Sequence, residues 1–430
     1  MGSTGAFELS NGMRFIVAAD HACPVAAVGL WAMAGVPDEP EDRRGIAHLF
    51  EHMMFRGSAN VGPQEHSRRI EALGGKYNAG TGIDATVYYD TVPSEAVEEV
   101  FRLEADRFRH LALTGENLDV ERKVVLEELH VYENQPMVKA MRQIHRRIGQ
   151  GHPYGLDPLG RAEDLENTTR DDLEAFYRTC YRPERVFGVV AGDVTGEQVR
   201  ELAERHFGDW QAEAEQAPAE PVGPFRPLTG ELALRVPFQV PLIAAVHRLA
   251  PPAQTDRAAL KVLARLIAQG RTSLIREALV ERTHLCVQAG AMMIEGRHGG
   301  ALVTFGAFLP PGSFARRRRV LREVCGRLAA NGPDPDRLAR CVKQARSGRA
   351  DEQYDPQRRM FQLGVAETLT GDWRTYENEL DELAKVTPDR VRALAAELFA
   401  ADSTLELDVT PERMRWWMWP VGIASKLWRR

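Results

Sequence analysis

A proline-bearing stretch near the middle of the chain limits the fold more than any other feature. Residues 209–227 carry Ala, Glu, Gln and the prolines Pro218, Pro221, Pro224 and Pro227. Proline fixes its own φ and has no backbone donor, so a run of this kind joins elements and sits inside none of them. It divides the 430 residues into an N-terminal part, 1–208, and a C-terminal part, 228–430, each of ordinary domain size. The order of elements repeats between the parts. In the first, apolar runs around the hairpin signal Asn11-Gly12 and over 25–34 read as strands. Helical periodicity follows from Ile46, then strand character over 77–92, helices over 94–110, 115–133 and 173–181, and a short strand at 186–190. In the second, a strand over 233–246 precedes a helix over 256–268, strands over 287–309, and helices over 314–331 and from Pro335. The repeat predicts an α+β fold of two duplicated domains.

Composition excludes several classes. A hydrophobic fraction of 44% with 27% charged residues is that of a globular chain with a buried core. The net charge of −6 gives nucleic acid no electrostatic handle, so no nucleic-acid partner is expected. Cys23, Cys180, Cys286, Cys325 and Cys341 are scattered and form no C-x-x-C pair, which points to a reducing compartment. The first residues show no basic segment followed by an apolar run, and Ala6 breaks the myristoylation pattern. No stretch reaches the roughly 18 apolar residues of a membrane span. A cytoplasmic location is expected.

The chemistry is concentrated in one segment, where His48, Glu51 and His52 stand in H-x-x-E-H spacing, the inverted zincin motif. Residues three and four apart share a helix face, so the two imidazoles project side by side with Glu51 in the same arc. Two neutral imidazoles suit zinc, and a catalytic zinc site has three protein ligands and one open position. That position takes water, and Glu51 is placed to take the proton the metal loosens. Loss of Glu51 should then abolish cleavage and leave the metal bound.

A third ligand is available in the acidic helical segment holding Glu121, Glu127 and Glu128. Glu121 and Glu128 lie two turns apart on one face, roughly 10 Å along the axis, so one ion cannot bind both. Glu128 is read as the ligand and Glu121 as the group that orients or tunes the site. After the histidine helix, a glycine turn at Gly74-Gly75 feeds a strand containing Asn78, Ala79, Tyr88 and Tyr89. A strand edge there can pair with an extended peptide by β-augmentation, with Asn78 donating to the scissile region.

These motifs together resemble the pitrilysin/insulinase-like zinc metallopeptidases, most closely their short bacterial and mitochondrial-processing type. The resemblance covers nearly the whole chain. It runs from the opening hairpin at Asn11-Gly12 through the metal helix, the Gly74–Tyr89 strand and the Glu121–Glu128 segment. It continues through His152-Pro153-Tyr154-Gly155, the run ending Gly192-Asp193-Val194, and the glycine–serine turn near Gly270 to Ser273. It implies two homologous α+β domains with antiparallel-rich sheets, closing as a clam-shell around a chamber on dimerisation. It also implies one Zn2+ per chain and a peptide substrate held as an added strand by Asn78 and Ala79. Many members carry an Arg and a Tyr in the half without metal. Here the C-terminal part holds only Tyr354 and Tyr376, and Arg297 is the candidate for the arginine alone. This points to a homologous partner subunit supplying the missing groups, with a homodimer as the other arrangement.

His130 lies about 200° from Glu128 around the helix and is read as no ligand. His66, His247 and the remaining histidines show no ligand spacing and are read as structural or exposed. The run Arg316 to Arg319 reads as a solvated helix face. Trp416, Trp417, Trp419 and Trp428 form an aromatic, basic tail suited to a partner, a membrane interface or its own domain. The leading functional reading is a zinc endopeptidase. The alternatives are the catalytic subunit of a heterodimer that trims a leader from a small precursor peptide, and a non-catalytic structural subunit of a larger assembly.

Overall fold

Strand β3, Val25–Ala32, is buried almost end to end and does not alternate in polarity. A strand apolar on both sides needs cover on both sides, and that requirement shapes the first unit. The computed structural model describes residues 3–212 and 222–412. Around β3 lie β1 (Thr4–Glu8), β2 (Arg14–Ala19), β4 (Lys76–Thr81), β5 (Thr86–Pro93) and β6 (Val186–Gly192). They form one sheet in the order β1-β2-β6-β3-β5-β4, antiparallel except for the parallel β2–β6 pair. The hairpin signal holds: β1 pairs antiparallel with β2, and the Asn11 side chain donates to the carbonyls of Phe207 and Trp210.

Period-2 alternation sends Phe15, Val17, Val28 and Leu30 to one face of the sheet. They pack there with α1 (Ile46–Met53), α3 (Val97–Arg109) and α4 (Gly115–Glu133), while α2 (Glu65–Ala72) seats Ile70 in the same core. Ile16, Ala18, Ala27 and Trp31 go to the other face, against Met360, Leu363, Trp373 and Tyr376. Gly364 permits the close approach, because a Cβ there would lie 2.2 Å from the Trp31 ring.

The second layer therefore comes from far along the chain, and the contiguous halves expected from sequence do not coincide with the compact units. Among the described residues, one unit falls within Met1–Val131, Asp157–Val222 and Asp351–Glu377, and the other within Tyr132–Leu156, Gly223–Ala350 and Asn378–Arg430. The expected linker is also shorter than 209–227. Trp210 is buried with the first core, and Phe225 is buried against His152 and Tyr154 of the second unit.

The second unit has a five-stranded sheet in the order β7-β11-β8-β10-β9. Its strands are β7 (Gly230–Val236), β8 (Leu242–Leu249), β9 (Gln288–Gly296), β10 (Gly299–Ala307) and β11 (Thr404–Pro411). The single strand expected over 233–246 is two strands. Pro237 and Pro241 cannot donate to a ladder, so the chain turns between them. The arginine run is not a simple solvated face. Arg317 is buried over the Phe308 ring and donates to the Leu285 and Ser313 carbonyls, while Arg318 pairs with Glu231. The tryptophan-rich tail lies outside the described residues. No helix among the described residues is long and apolar enough to cross a membrane.

His247 on β8 is buried between the hydroxyls of Thr304 and Thr404, and burial pushes its pKa down from 6.5 to about 3. The unfolded chain takes a proton near 6.5 that the folded chain refuses until about 3. The stability it contributes is therefore complete above that window and is lost as pH falls through it. Replacing His247 with Gln is expected to flatten the fall in melting temperature between about pH 6.5 and about pH 5. A variant that keeps the parental slope would show that His247 is protonated in the folded state.

Candidate metal and catalytic site

Helix α1 begins at Gly45, whose φ of 97° is natural for glycine. No side chain of its own caps it. Glu39 does so from outside, accepting from the Gly45 and Ala47 amides at 3.0 and 3.2 Å. The apolar side of α1, with Ile46, Leu49, Phe50 and Met53, goes into the core. That orientation leaves His48, Glu51 and His52 towards α4 and β4. The two imidazoles meet edge to face with centroids 4.9 Å apart.

Glu128 on α4 completes the group. Its Oε2 stands 3.7 Å from His48 Nε2 and 3.5 Å from His52 Nε2. One ligand atom from each of the three residues lies within 4.8 Å of the others. These separations exceed hydrogen bonds and leave room for an ion between the donors. Glu121 binds the far side of His52, at 3.0 Å from Nδ1, and also accepts from Arg56 Nε. A proton held on Nδ1 by Glu121 leaves the Nε2 lone pair facing Glu128, which is how a ligating imidazole is oriented. The donor set of two imidazoles and a carboxylate thus fits zinc. Glu121 thus meets His52 at Nδ1, and Glu128 faces its Nε2. Arg56 was not anticipated, because nothing in the sequence marks an arginine four residues beyond His52 as a partner of Glu121.

Burial, with help from the charge of His52, pushes the His48 pKa down to about 4, so its ring is neutral at ordinary pH. For His52, burial also favours the neutral ring, but the Glu121 hydrogen bond and the surrounding carboxylates outweigh it and raise the pKa. Burial raises the pKa of Glu51, opposed by a hydrogen bond from the Thr81 hydroxyl.

Strand β4 is an edge of its sheet and lies beside α1. Asn78 is exposed on it and its side chain accepts from the Ala79 amide at 2.9 Å; Ala79 is half-buried. Arg297 lies between β9 and β10, in the unit that does not carry His48 and His52. Tyr354 and Tyr376, the tyrosines of the C-terminal part, both belong to the segment that joins the first unit.

His66, expected to be structural or exposed, belongs to a second group of ligand types among the described residues. His66 Nε2 lies 3.2 Å from Asp90 and 3.8 Å from Glu104, and all three are buried. Arg107 already takes both oxygens of Glu104, so the group is a core ion cluster. It escaped the sequence reading because its members come from three separate elements.

Two α+β units, one with a His-His-Glu group beside an exposed sheet edge, define the architecture of a two-domain metallopeptidase. The family model described as Insulinase (Peptidase family M16) matches residues 14–160, and the one described as Peptidase M16 inactive domain matches 167–345. The chain belongs to this peptidase family, the pitrilysin/insulinase-like metallopeptidases. It is 28% identical over 398 residues to an "uncharacterized zinc protease" of Mycobacterium leprae, covering 91% of this chain and 88% of that one. It is 31% identical over 199 residues to a probable mitochondrial-processing peptidase subunit beta of Arabidopsis thaliana, covering 46% and 38%. The crystal structure of a protease from Helicobacter pylori shares the fold at a TM-score of 0.86 and 20% identity, covering 95% of this chain and all (100%) of that one.

Proposed function

We propose that the chain is a zinc-dependent endopeptidase that cleaves peptides or unfolded segments held as an added strand on β4. The observation that carries this reading is the convergence of His48 Nε2, His52 Nε2 and Glu128 Oε2, with Glu51 on the same helix turn. His48, His52 and Glu128 hold one zinc per chain, and Glu121 fixes the His52 ring. Zinc, when bound, polarises the scissile carbonyl and makes water more acidic. Glu51 takes the proton of the attacking water and passes it to the leaving amine. The free edge of β4 supplies backbone hydrogen bonds to the peptide, and Asn78 and Ala79 line its path.

The substrate-holding arginine and tyrosine are supplied by a homologous subunit. The support is that Tyr354 and Tyr376 both belong to the metal-bearing unit. Such a pair would suit the trimming of a leader from a precursor peptide. A cytoplasmic location is part of the same reading.

The test is metal content and peptide cleavage on the purified chain, alone and mixed with a homologous chain lacking H-x-x-E-H. About one zinc per chain with cleavage is expected, as for three-ligand catalytic sites. Cleavage only after mixing establishes the heterodimer. A chain that takes up no zinc when it is supplied sinks the proposal and leaves the structural-subunit reading.

A further inference from the structure

Thr81 is the last residue of β4, and its hydroxyl donates to Glu51 Oε2. Three features make this contact a fixed one. Thr81 pairs directly with Thr86 across the β4–β5 ladder. Thr86 is fully buried, and its own hydroxyl donates to the Ala34 carbonyl at 2.9 Å. Its oxygen lies 3.5 Å from that of Thr81. With the Thr86 proton committed to Ala34, Glu51 is the acceptor for the Thr81 proton. Threonine is also stiff at χ1, so the strand backbone sets where that proton points.

We infer that Thr81 is a positioning residue for Glu51. It holds one carboxylate oxygen so that the other is presented to the attacking water. This rests on the reading of Glu51 as general base. Because Thr81 closes the strand that receives the peptide, the base is tied to the element that sets the height of the scissile bond. A base carried only by the α1 backbone would have free side-chain torsions, and misplacing a reacting group by about 1 Å costs on the order of a hundredfold in rate.

The experiment compares Thr81→Val, Thr81→Ser and Glu51→Gln on an internally quenched peptide that the parent cleaves, with zinc content and melting temperature measured on each. Valine keeps the shape and strand preference and loses the donor; serine keeps the donor. Thr81→Val is expected to lower kcat by roughly 10- to 100-fold, with KM and zinc content unchanged, and Thr81→Ser to restore most of the rate. Adding Thr81→Val to Glu51→Gln is expected to cost nothing further, since the group to be positioned is already gone. Parental kcat in Thr81→Val overturns the inference while an inactive Glu51→Gln upholds the reading of the base. A fully active Glu51→Gln removes the reading itself. If Thr81→Val loses zinc or melts lower, or if Thr81→Ser is equally slow, the role is structural and the inference also fails.

Discussion

Replacing Glu51 with Gln is expected to lower kcat by roughly two to four orders of magnitude, the range supplied by a positioned general base, while zinc content stays at the parental level. The two halves of the result have separate causes. The proposed metal group is His48, His52 and Glu128, whose ligand atoms converge, and Glu51 is not among them. Glutamine keeps the size of the side chain and can still accept from Thr81, so α1 and its packing stay in place. What disappears is the capacity to take a proton. The amide also cannot hand a proton to the leaving amine, so both halves of the proton transfer are lost together. KM for a peptide paired along β4 should change little, because that binding uses strand backbone and not this carboxylate. Inductively coupled plasma measurement of zinc beside steady-state cleavage decides it. Cleavage at the parental rate means that another group carries the proton. Loss of zinc together with activity means that Glu51 belongs to the metal group, and the assignment of Glu128 would then need revision.

Much of this site was legible because helix geometry converts spacing into position. Offsets of three and four fixed His48, Glu51 and His52 on one face of α1 without tertiary knowledge. The offset of seven between Glu121 and Glu128 showed that only one of them could reach an ion. In the structure Glu121 is engaged with His52 Nδ1 and Arg56, while Glu128 Oε2 faces the Nε2 atoms of both histidines. Thr81 was not legible. The sequence reads as unbroken strand character over 77–92, whereas the structure has two strands with a turn after Thr81, and a hydroxyl pointing to a residue 30 positions away leaves no local trace. The same holds for His66, Asp90 and Glu104, whose offsets match no single element. The domain boundary failed for a different reason. The proline-bearing stretch does lie between two similar folds, yet the helix Pro356–Thr370 packs on the first sheet. The signal was present in β3, where Val25 to Ala32 is apolar at nearly every position and so has two faces to cover. What the sequence could not say is which distant segment provides the second cover.

The largest expected loss of stability lies in the ion cluster behind β5. Arg107 on α3 donates Nε to Glu104 Oε2 at 2.8 Å and Nη2 to Oε1. Its guanidinium also stacks 4.8 Å from the Tyr88 centroid and 5.0 Å from that of Phe55. Asp90 and His66 complete the group, and every member is buried. Burial pushes the Glu104 pKa up to about 7 even with Arg107 working against it, and burial raises that of Asp90 too. Arg107→Leu would leave two carboxylates without a counter-cation in the core. Removing one partner of a buried pair costs about 3–5 kcal/mol, which for a unit of this size is a fall of about 10 °C in melting temperature. The deficit should depend on pH in a defined direction. A folded-state pKa above the unfolded value of 4.5 means that the folded chain holds the extra proton, so stability rises as pH falls through that window. In the variant a proton replaces the missing cation, and the gap to the parent should narrow from about pH 8 to about pH 6. Arg107→Lys should fall between the two, since an ammonium can neither fork onto both oxygens nor stack between the rings. Adding Glu104→Gln to Arg107→Leu should recover part of the loss, because the two changes remove the same interaction. Thermal melts across this pH range on the four proteins decide the matter. An Arg107→Leu chain that melts with the parent at the upper pH would show that the carboxylates are protonated in the native core and need no cation.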